Sequence, residues 1–179
     1  CGEVPRATPD DAREVCVPAG PYVRGDDADL TARPARTVEM SAFFIGVFPV
    51  TNRRYAACIA AGGCSELAYS FTRGFVHDPA HQDHPVEGTS QAEGAAFCAW
   101  DDGRYLPSMA QWEKAARGPA PRTNPFPWDS GTPCEHLETP SCGWTMPADM
   151  TMGAPYNSLP GTVSYYGTQM QVGGPLEWV

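Results

Sequence analysis

The sequence lacks any apolar run of about 18 residues, the length that a helix needs to cross a membrane, so no membrane-spanning segment is predicted. Basic residues are scarce as well, with 12 Lys and Arg against 21 Asp and Glu and a net charge of -9. Because this charge repels a phosphate backbone, nucleic acid is not expected as a partner. The chain also lacks a Gly-x-Ser-x-Gly motif and a phosphate-binding glycine loop, which removes support for serine nucleophile chemistry and nucleotide binding.

Glycine and proline are abundant instead: 18 Gly and 19 Pro make up more than a fifth of the 179 residues. Both residues interrupt long regular elements, so the composition predicts one loop-rich globular domain. The length is sufficient for a sizeable core. Residues 1–13 are polar, proline-rich and charged, which predicts a flexible tether before a domain that spans 14–179.

Seven cysteines are spread along the chain and form neither zinc-type CxxC pairs nor a thioredoxin motif. Disulfide bonds are the better interpretation, and they indicate an extracytoplasmic location, either periplasmic or at the cell surface. Cys58 and Cys64 lie on either side of a predicted helix end, while Cys134 and Cys142 flank a short loop. These two pairs are the predicted bridges because each closes a local loop.

Cys1 is followed by glycine, as is the lipid-modified cysteine of bacterial lipoproteins. The sequence therefore predicts a lipid on Cys1 that attaches the domain to a membrane, with a chance cysteine as the alternative. Cys16 and Cys98 then remain, either bonded to each other or free.

The strands are expected near the start of the domain. Alternating apolar residues around a Pro-Ala-Gly turn predict a hairpin over Glu14–Asp26, and one strand is expected over Val38–Val47. Residues 65–88 are expected to be irregular, and only short strands and loops are predicted after Gly118.

Three short helices are predicted from their capping residues. Thr51 can cap the first helix, and a pair of glycines ends it. Ser90 with Glu93 and Ser108 with Gln111 form capping boxes that begin the second and third helices. Helices and strands do not alternate regularly, so the pattern indicates an α+β protein.

Three histidines in "HDPAHQDH", His77, His81 and His84, have a spacing that could gather a metal ion. Pro79 breaks any helix that would align the first two imidazole rings. A solvated loop is therefore the competing and favoured interpretation.

Five motifs occur in order between Phe43 and Val179: "FFIGVFPVTNRRYAAC", "HPVEGTSQAEGAAFCAW", "RYLPSMAQWEKAARG", "PFPW" and "GGPLEWV". In order and approximate spacing they resemble the motifs of the formylglycine-generating enzyme, or sulfatase-modifying factor, family. The resemblance implies the fold of that family, a single α+β domain of the C-type-lectin-like kind. Little regular secondary structure is then expected: three short helices and scattered short antiparallel strands.

The founding enzymes of the family oxidise a cysteine of a sulfatase to formylglycine, using oxygen and a copper(I) ion held by two cysteines. This ligand choice is reasonable because soft thiolates select Cu(I). In those enzymes both cysteines lie downstream of the segment that corresponds to "GGPLEWV", and none of the seven cysteines here matches them. No catalytic residue is therefore predicted, and the domain is expected to be incomplete at its C-terminal end.

The resemblance also implies a structural calcium site, which an asparagine and a glutamate help to bind in family members. Gly174 replaces that asparagine and Met170 replaces an acidic residue, so Glu177 is left as a weak calcium candidate. The family arginine that precedes Leu-Pro is Tyr105 here.

One aromatic residue and three methionines, in "GWTMPADMTMG", lie in a segment that is less typical of the family; they are Trp144, Met146, Met150 and Met152. Such residues can form an adaptable protein-binding face, and core filling is the alternative.

These observations together predict a non-catalytic binding or structural domain, an accessory subunit of a larger membrane-associated or surface assembly. The acidic surface favours a basic or neutral protein partner, or a glycan. The competing hypothesis is a copper- or iron-dependent oxidase of the same family whose catalytic part lies outside this chain.

Overall fold

The structure is a computed structural model, and it describes residues 1, 5–7, 9–137 and 155–179. Four strands are found there: β1 Glu14–Val17, β2 Gly20–Arg24, β3 Arg36–Met40 and β4 Phe43–Gly46. The helices are α1 Asn52–Ala60, α2 Ser70–His77, α3 Gln91–Trp100, α4 Met109–Arg117 and α5 Pro133–His136. Short 3-10 turns are Asp10–Ala12, Pro79–His81 and Pro160–Thr162. Within these ranges, every helix is too short or too polar to span a membrane.

The strands form two separate two-stranded antiparallel sheets, in which β1 pairs with β4 and β2 pairs with β3. The predicted hairpin over Glu14–Asp26 is therefore wrong, since β1 and β2 do not pair with each other. The turn between β1 and β2 instead contacts α4, whose buried Lys114 extends its ammonium group to it. Its Nζ donates hydrogen bonds to the carbonyl oxygens of Pro18 at 2.7 Å and Gly20 at 2.9 Å.

The single strand predicted over Val38–Val47 is divided into β3 and β4 by a break at Ser41 and Ala42. The two strands then pair in different sheets. Alternation of apolar residues cannot reveal such a break, because it reports the buried face of a strand and not its partner.

The predicted helix starts are confirmed. The Thr51 side chain caps α1, and the capping boxes of Ser90 with Glu93 and of Ser108 with Gln111 begin α3 and α4. In each box the serine hydroxyl accepts from the backbone N–H three residues later, at 3.3 Å. The reciprocal bonds from the serine N–H are 2.7 Å to Glu93 and 2.8 Å to Gln111.

The expectation of an irregular segment over 65–88 is wrong in part, because α2 lies within it and packs against α1. Its N-cap, Tyr69, makes no side-chain capping bond, so the sequence carries no start signal. After Gly118, the described residues contain α5 and a 3-10 turn and no strand, contrary to the expected short strands.

Two groups of buried side chains form the core. One lies between α1, α2 and α3 and consists of Tyr55, Cys58, Leu67, Val76 and Phe97. The other joins β1, β4 and α4 through Val17, Phe43 and Ala115. Both groups reach the surface at the same cleft, because residues of each line it.

Cys58 and Cys64 are joined by a disulfide bond, which is the pairing that the sequence favoured. Cys134 is also disulfide-bonded, whereas Cys142, its predicted partner, lies outside the described residues. The Cys58–Cys64 bond closes the turn after α1, with the two Cα atoms 5.2 Å apart.

A further disulfide joins Cys1 to Cys16, with Cα atoms 6.0 Å apart, and Cys98 is a free thiol. The option of a Cys16–Cys98 bond is therefore wrong. The lipidation of Cys1 stays a prediction.

Candidate functional site

A cleft of about 620 Å³ opens on the side of the molecule where the two cores meet. Its walls are the segment 42–50, which contains β4, the helix α3, the loop 101–107 and the C-terminal segment 175–178. Four of the five sequence motifs therefore contribute to one surface, although they are separated by many residues in the chain. This cleft is the candidate functional site.

Every residue of the segment 42–50 borders the cleft. Side chains of a strand alternate between two faces, so an unbroken run of lining residues indicates that the edge of the strand faces the space. β1 occupies the other edge of β4. The edge of Phe43–Gly46 that points away from β1, called the outer edge here, has no strand partner among the described residues.

Beyond β4 the segment is fixed by main-chain hydrogen bonds to three other parts of the molecule. Val47 N–H donates to the Arg13 carbonyl at 2.8 Å, and the Val47 carbonyl accepts from Gln169 N–H at 2.8 Å. The Val50 carbonyl accepts from Val86 N–H at 2.8 Å, within the "HPVEGTS" motif. The wall of the cleft is thus held rigidly at one end of β4.

Three arginines and three carboxylates form one charged group at the end of the cleft, called the arginine–carboxylate cluster here: Arg6, Arg54, Arg104, Glu14, Asp101 and Asp102. Asp101 lies at its centre, where it accepts from Arg6 Nη1 at 2.9 Å and from Arg54 Nη2 at 2.6 Å. Arg104 donates to Glu14 and, at 3.2 Å, to Asp102. The cluster ties the N-terminal segment to α1 and to the end of α3.

Two carboxylates of the cluster, Asp101 and Glu14, have pKa values below their ordinary values. Burial opposes ionisation of Asp101, but hydrogen bonds and charges from Arg6 and Arg54 outweigh it and lower the pKa. Burial likewise opposes ionisation of Glu14, and its bonds with Arg104 and Arg6 lower the pKa overall. Carboxylates with lowered pKa values and fixed cationic partners are poor proton carriers at neutral pH, so the cluster positions the cleft wall.

Cys98 of α3 is half-buried and lines the cleft beside the arginine–carboxylate cluster. Burial raises the pKa of its thiol, Asp101 raises it further, and Arg54 and Arg104 only partly offset this. The side chain is therefore a protonated thiol at neutral pH, which is a weak nucleophile and a weak metal ligand.

The copper site of the founding enzymes does not fit the described residues. It needs two thiolates, while Cys1, Cys16, Cys58 and Cys64 are consumed in disulfide bonds and Cys98 is the one free thiol in the described ranges. In the same part of the chain, no three His, Cys, Asp or Glu side chains are arranged to hold a metal ion.

Glu177 lies in the C-terminal wall of the cleft and accepts a hydrogen bond from Trp112 Nε1. Glu177 is exposed as a residue. Protein atoms around its carboxyl group nevertheless desolvate that group and raise its pKa, and the hydrogen bond from Trp112 lowers the pKa in part. Within the described part of the chain, no cation lies within ion-pair distance of Glu177. It is the unpaired carboxylate of the cleft.

Gly174, which stands where the family has a calcium-binding asparagine, is in a tight turn with Met170. A Cβ atom at position 174 would lie 2.2 Å from the Met170 carbonyl oxygen, so no side chain fits there. Met170 itself is buried and has a positive φ of 63°. Glu177 is then the remaining side chain of the implied calcium pair, and calcium binding at this position stays a prediction.

The three predicted histidines lie outside the cleft, and the structure does not bring them together as a metal site. His77 Nε2 contacts Glu66 at 3.0 Å, and His81 Nδ1 contacts Asp78 at 2.9 Å. The rings of His81 and His84 are 5.1 Å apart and tilted. The predicted partner surface of Trp144, Met146, Met150 and Met152 falls outside the described residues.

Large apolar side chains are exposed at the rim of the cleft. Leu176 is fully exposed and Tyr105 is 71% exposed. Trp178 is 46% exposed, although its Nε1 donates to the Thr89 carbonyl at 2.7 Å. Exposed apolar residues beside a cleft are typical of a binding surface. Tyr105, which replaces the family arginine, therefore belongs to the surface and not to the core.

Sequence reasoning missed the arginine–carboxylate cluster and the position of Cys98 in the cleft. Arg6, Arg54 and Asp101 come from three distant parts of the chain, and no spacing rule relates them. No local pattern in the sequence distinguishes these three charged residues from the many charged residues that face solvent.

Solved structures match the fold. PvdO from Pseudomonas aeruginosa superposes with a TM-score of 0.64, over 89% of this chain and 67% of PvdO, at 23% sequence identity. Identity at this level supports the shared fold alone. The shared fold defines the class of the protein: a small α+β domain with few helices and short antiparallel strands, as the sequence predicted.

The family model for the sulfatase-modifying factor enzyme 1-like domain, named FGE-sulfatase, matches residues 2–179. The chain belongs to this family, and the resemblance in the five motifs is confirmed. Hercynine oxygenase of Mycolicibacterium smegmatis is 31% identical over 92% of this chain and 44% of its own length. Formylglycine-generating enzyme of Thermomonospora curvata is 27% identical over 70% of this chain and 56% of its own length. The chain thus spans less than half of that hercynine oxygenase.

Proposed function

We propose that this chain provides the ligand-binding cleft of an FGE-sulfatase domain and binds its ligand without redox chemistry from its own described residues. The observation that carries the proposal is the cleft itself, which combines a main-chain strand edge, exposed apolar residues at the rim and one unpaired carboxylate. Concave surfaces with a few convergent polar groups are the usual form of a binding site.

The chemistry of the lining residues supports binding in preference to catalysis. The acidic groups of the arginine–carboxylate cluster are held by cations, and the single free thiol of the described residues is protonated. The role that fits is an accessory subunit of a larger assembly, with a basic or neutral protein partner or a glycan. An extracytoplasmic location is part of the proposal, because disulfide bonds persist in oxidising compartments.

Alkylation of Cys98 tests this function directly, because the thiol lines the cleft. The protein is incubated with iodoacetamide in the presence of a panel of soluble peptides and oligosaccharides, and modification of Cys98 is followed by mass spectrometry. A ligand that occupies the cleft is expected to slow alkylation severalfold, whereas a ligand bound elsewhere leaves the rate unchanged. If every panel member that binds leaves Cys98 unprotected, the cleft is not the binding site. The Cys98→Ser variant, treated in the same way, measures alkylation at all other sites of the protein.

A second candidate function is an oxidase, in which polypeptide outside the described residues supplies the metal ligands and this cleft holds the substrate. The relatives favour it, because proteins named hercynine oxygenase and formylglycine-generating enzyme align with 92% and 70% of this chain. Oxygen consumption on a cysteine-containing peptide is measured after addition of Fe(II) or Cu(I). Metal-dependent uptake would contradict the binding role and establish the oxidase.

Calcium bound through Glu177 is a separate part of the proposal. If a calcium ion stabilises the C-terminal wall, EDTA lowers the melting temperature and calcium restores it, since a ligand that binds only the folded state stabilises it. Glu177→Gln should abolish this response. A melting temperature that is insensitive to EDTA in the wild-type protein would rule out the calcium site.

A further inference from the structure

We propose a second binding site, outside the cleft, at which three arginines of β2, β3 and α4 hold a tetrahedral oxyanion, the phosphate or sulfate group of an ester ligand. The arginines are Arg24, Arg36 and Arg117, called the β2–β3 arginine group here, and the buried Tyr22 supplies a hydroxyl donor. None of these four residues lines the cleft. The inference therefore goes beyond the proposed function and does not depend on it.

The first observation is a pair of like charges in the sheet formed by β2 and β3. Arg24 lies directly opposite Arg36 in the antiparallel register, so the two side chains are on the same face of the sheet. Like charges at directly opposed positions repel each other and destabilise a pair of strands. An anion bound between the two guanidinium groups replaces this repulsion with attraction.

The second observation is a shortage of carboxylates around these arginines. Within the described ranges, Glu113 of α4 is the one carboxylate in ion-pair contact with the group, at 3.8 Å from Arg24 Nε and 3.7 Å from Arg117 Nη2. Its closer contact, at 2.7 Å, is with the backbone N–H of Gly25. The Arg36 side chain forms no ion pair or hydrogen bond with any described residue. The arginine–carboxylate cluster has a carboxylate for every arginine, whereas the β2–β3 arginine group has an excess of positive charge.

The third observation is a buried hydroxyl without a partner. Tyr22 lies two residues before Arg24 in β2, so it is on the same face of the sheet, and its side chain is fully buried. Its Oη has no hydrogen-bond partner among the described residues. Burial raises the pKa of this hydroxyl, so it is a donor at neutral pH, and the charges that act on it are those of Glu113 and the three arginines. An oxyanion that accepts from Tyr22 removes the cost of an unpaired buried donor.

These donors together select the chemistry of the ligand. A guanidinium group presents two parallel N–H donors that match two oxygens of a phosphate or sulfate group, and a tetrahedral group has a further oxygen for the tyrosine. A phosphate ester carries a charge of about -1.5 to -2 at pH 7, which complements the excess of arginine. The net charge of -9 of the whole chain opposes anions, but salt screens it beyond about 10 Å at 0.1 M.

The ligand reaches the buried hydroxyl only when a neighbouring side chain moves. Arg36 is exposed and lies diagonally across the two strands from Tyr22, on the same face of the sheet. Its movement breaks no side-chain contact among the described residues. Arg36 can therefore turn towards the bound oxyanion and admit it to the hydroxyl.

The probes are glucose 6-phosphate and glucose 6-sulfate, with unsubstituted glucose as the neutral control. Binding to the full 179-residue protein is measured by isothermal titration calorimetry at low ionic strength. We expect at least one ester to bind with a Kd of about 1 mM or below, and glucose not to bind. The ester with the higher affinity identifies the source of the oxyanion. The proposal is wrong if neither ester binds at concentrations up to about 10 mM.

Three variants locate the site by removing one guanidinium group each. Arg24→Gln and Arg36→Gln should each weaken binding of the preferred ester by about fivefold or more. Arg33→Gln is the matched control, because Arg33 is exposed in the same β2–β3 connection but is not among the charges that act on Tyr22. Its affinity should stay within about twofold of the wild-type value. Equal losses for all three variants would show that the ester responds to the net charge of this surface, and the site would be wrong.

The Tyr22→Phe variant tests the hydroxyl alone, because the ring stays in the core. We expect its affinity for the ester to fall by about three- to tenfold. The unliganded variant should melt at the wild-type temperature or above it, since the hydroxyl that it loses has no hydrogen bond among the described residues. Equal affinity of the variant and the wild-type protein would overturn the assignment of Tyr22 to the site.

Alkylation of Cys98 separates this inference from the proposed function. An ester bound at the β2–β3 arginine group should leave the alkylation rate unchanged, because Cys98 lies in the cleft. Protection of Cys98 by an ester would place the oxyanion in the cleft, beside the arginine–carboxylate cluster, and the second site would be wrong. If neither ester binds while other ligands protect Cys98, the proposed function stands and this inference fails.

Discussion

Lys114 and Asp101 are both charged residues in the interior, and the protein surrounds them differently. Lys114 is 1% exposed and donates to two neutral carbonyl groups of the β1–β2 connection, and burial lowers the pKa of its ammonium group. Asp101, whose side chain is 15% exposed, is held by two guanidinium groups. Lys114 organises a turn by solvating its carbonyls, whereas Asp101 joins three chain segments by neutralising their arginines.

The difference indicates which residue the fold depends on more. If Lys114 is removed, two carbonyl groups lose a donor, but the cost of burying an uncompensated charge disappears as well. If Asp101 is removed, Arg54 loses its carboxylate partner, and Arg6 keeps only the longer contacts with Glu14 at 3.8 Å and Asp102 at 3.9 Å. Removal of one member of the Asp101 ion pairs is therefore expected to lower the free energy of unfolding more than removal of Lys114, whose partners are neutral carbonyl groups.

The largest effect is expected for Asp101→Asn. It should lower the free energy of unfolding by about 3 kcal/mol, because the facing arginines lose their shared anion while the side-chain shape is kept. Chemical denaturation at pH 7 measures this. Asp102→Asn is the matched control, since Asp102 belongs to the same cluster but its side chain is 82% exposed, and its change should stay below about 0.5 kcal/mol. Similar losses for the two variants would show that the cluster is not centred on Asp101.

A smaller loss, about 1–2 kcal/mol, is expected for Lys114→Met. The apolar side chain fills the same space but leaves the carbonyls of Pro18 and Gly20 without their donor. Arg36→Met removes an exposed cation from β3 and serves as the control in the same denaturation experiment. A loss for Lys114→Met that exceeds the loss for Asp101→Asn would reverse the comparison.

The pH dependence of stability should distinguish the two regions. The folded-state pKa values of Asp101 and Glu14 are lowered from 3.8 and 4.5, so their contribution is fully present above these values and is lost as the pH falls through the lower folded values. The wild-type protein should therefore lose stability below about pH 4.5, and Asp101→Asn should flatten this acid limb. Lys114→Met should leave it unchanged. Thermal melts between pH 7 and 3 provide the measurement, and parallel acid limbs for all three proteins would contradict the prediction.

The smallest effect is expected for Glu39→Gln. Glu39 is the carboxylate whose charge acts on Lys114, but it is exposed and forms no ion pair with it among the described contacts. Its removal should change the free energy of unfolding by less than about 0.5 kcal/mol. A loss above about 1 kcal/mol would show that Lys114 is held by a carboxylate after all, and the contrast with Asp101 would disappear.

Local signals in the sequence predicted the helices well and the strand pairing poorly. Ser90 with Glu93 and Ser108 with Gln111 satisfy backbone groups within three residues, so their effect can be read from the sequence. β1 and β2 appeared to be a hairpin because their apolar pattern and turn are local, yet each strand pairs with a strand that comes later in the chain. The helix α2 was missed because its N-cap residue, Tyr69, makes no side-chain capping bond that the sequence could reveal.

The candidate site was predictable only in its parts. Glu177 and Tyr105 were identified from their motifs, but their exposure at a shared cleft follows from the packing of distant segments. The free state of Cys98 and the Cys1–Cys16 bond could not be derived from spacing, because disulfide pairing depends on which Cα atoms the fold brings within bonding distance.

The sequence by itself determined the family, the α+β class and the starts of α1, α3 and α4, since motifs and capping bonds involve neighbouring residues. Only the tertiary structure decided that Arg6, Arg54 and Asp101 meet, that Lys114 reaches the β1–β2 connection, and that β4 leaves one edge facing a cleft. The physical reason is that these contacts join residues tens of positions apart, where the partner of a charge or a strand edge is set by how the whole chain packs.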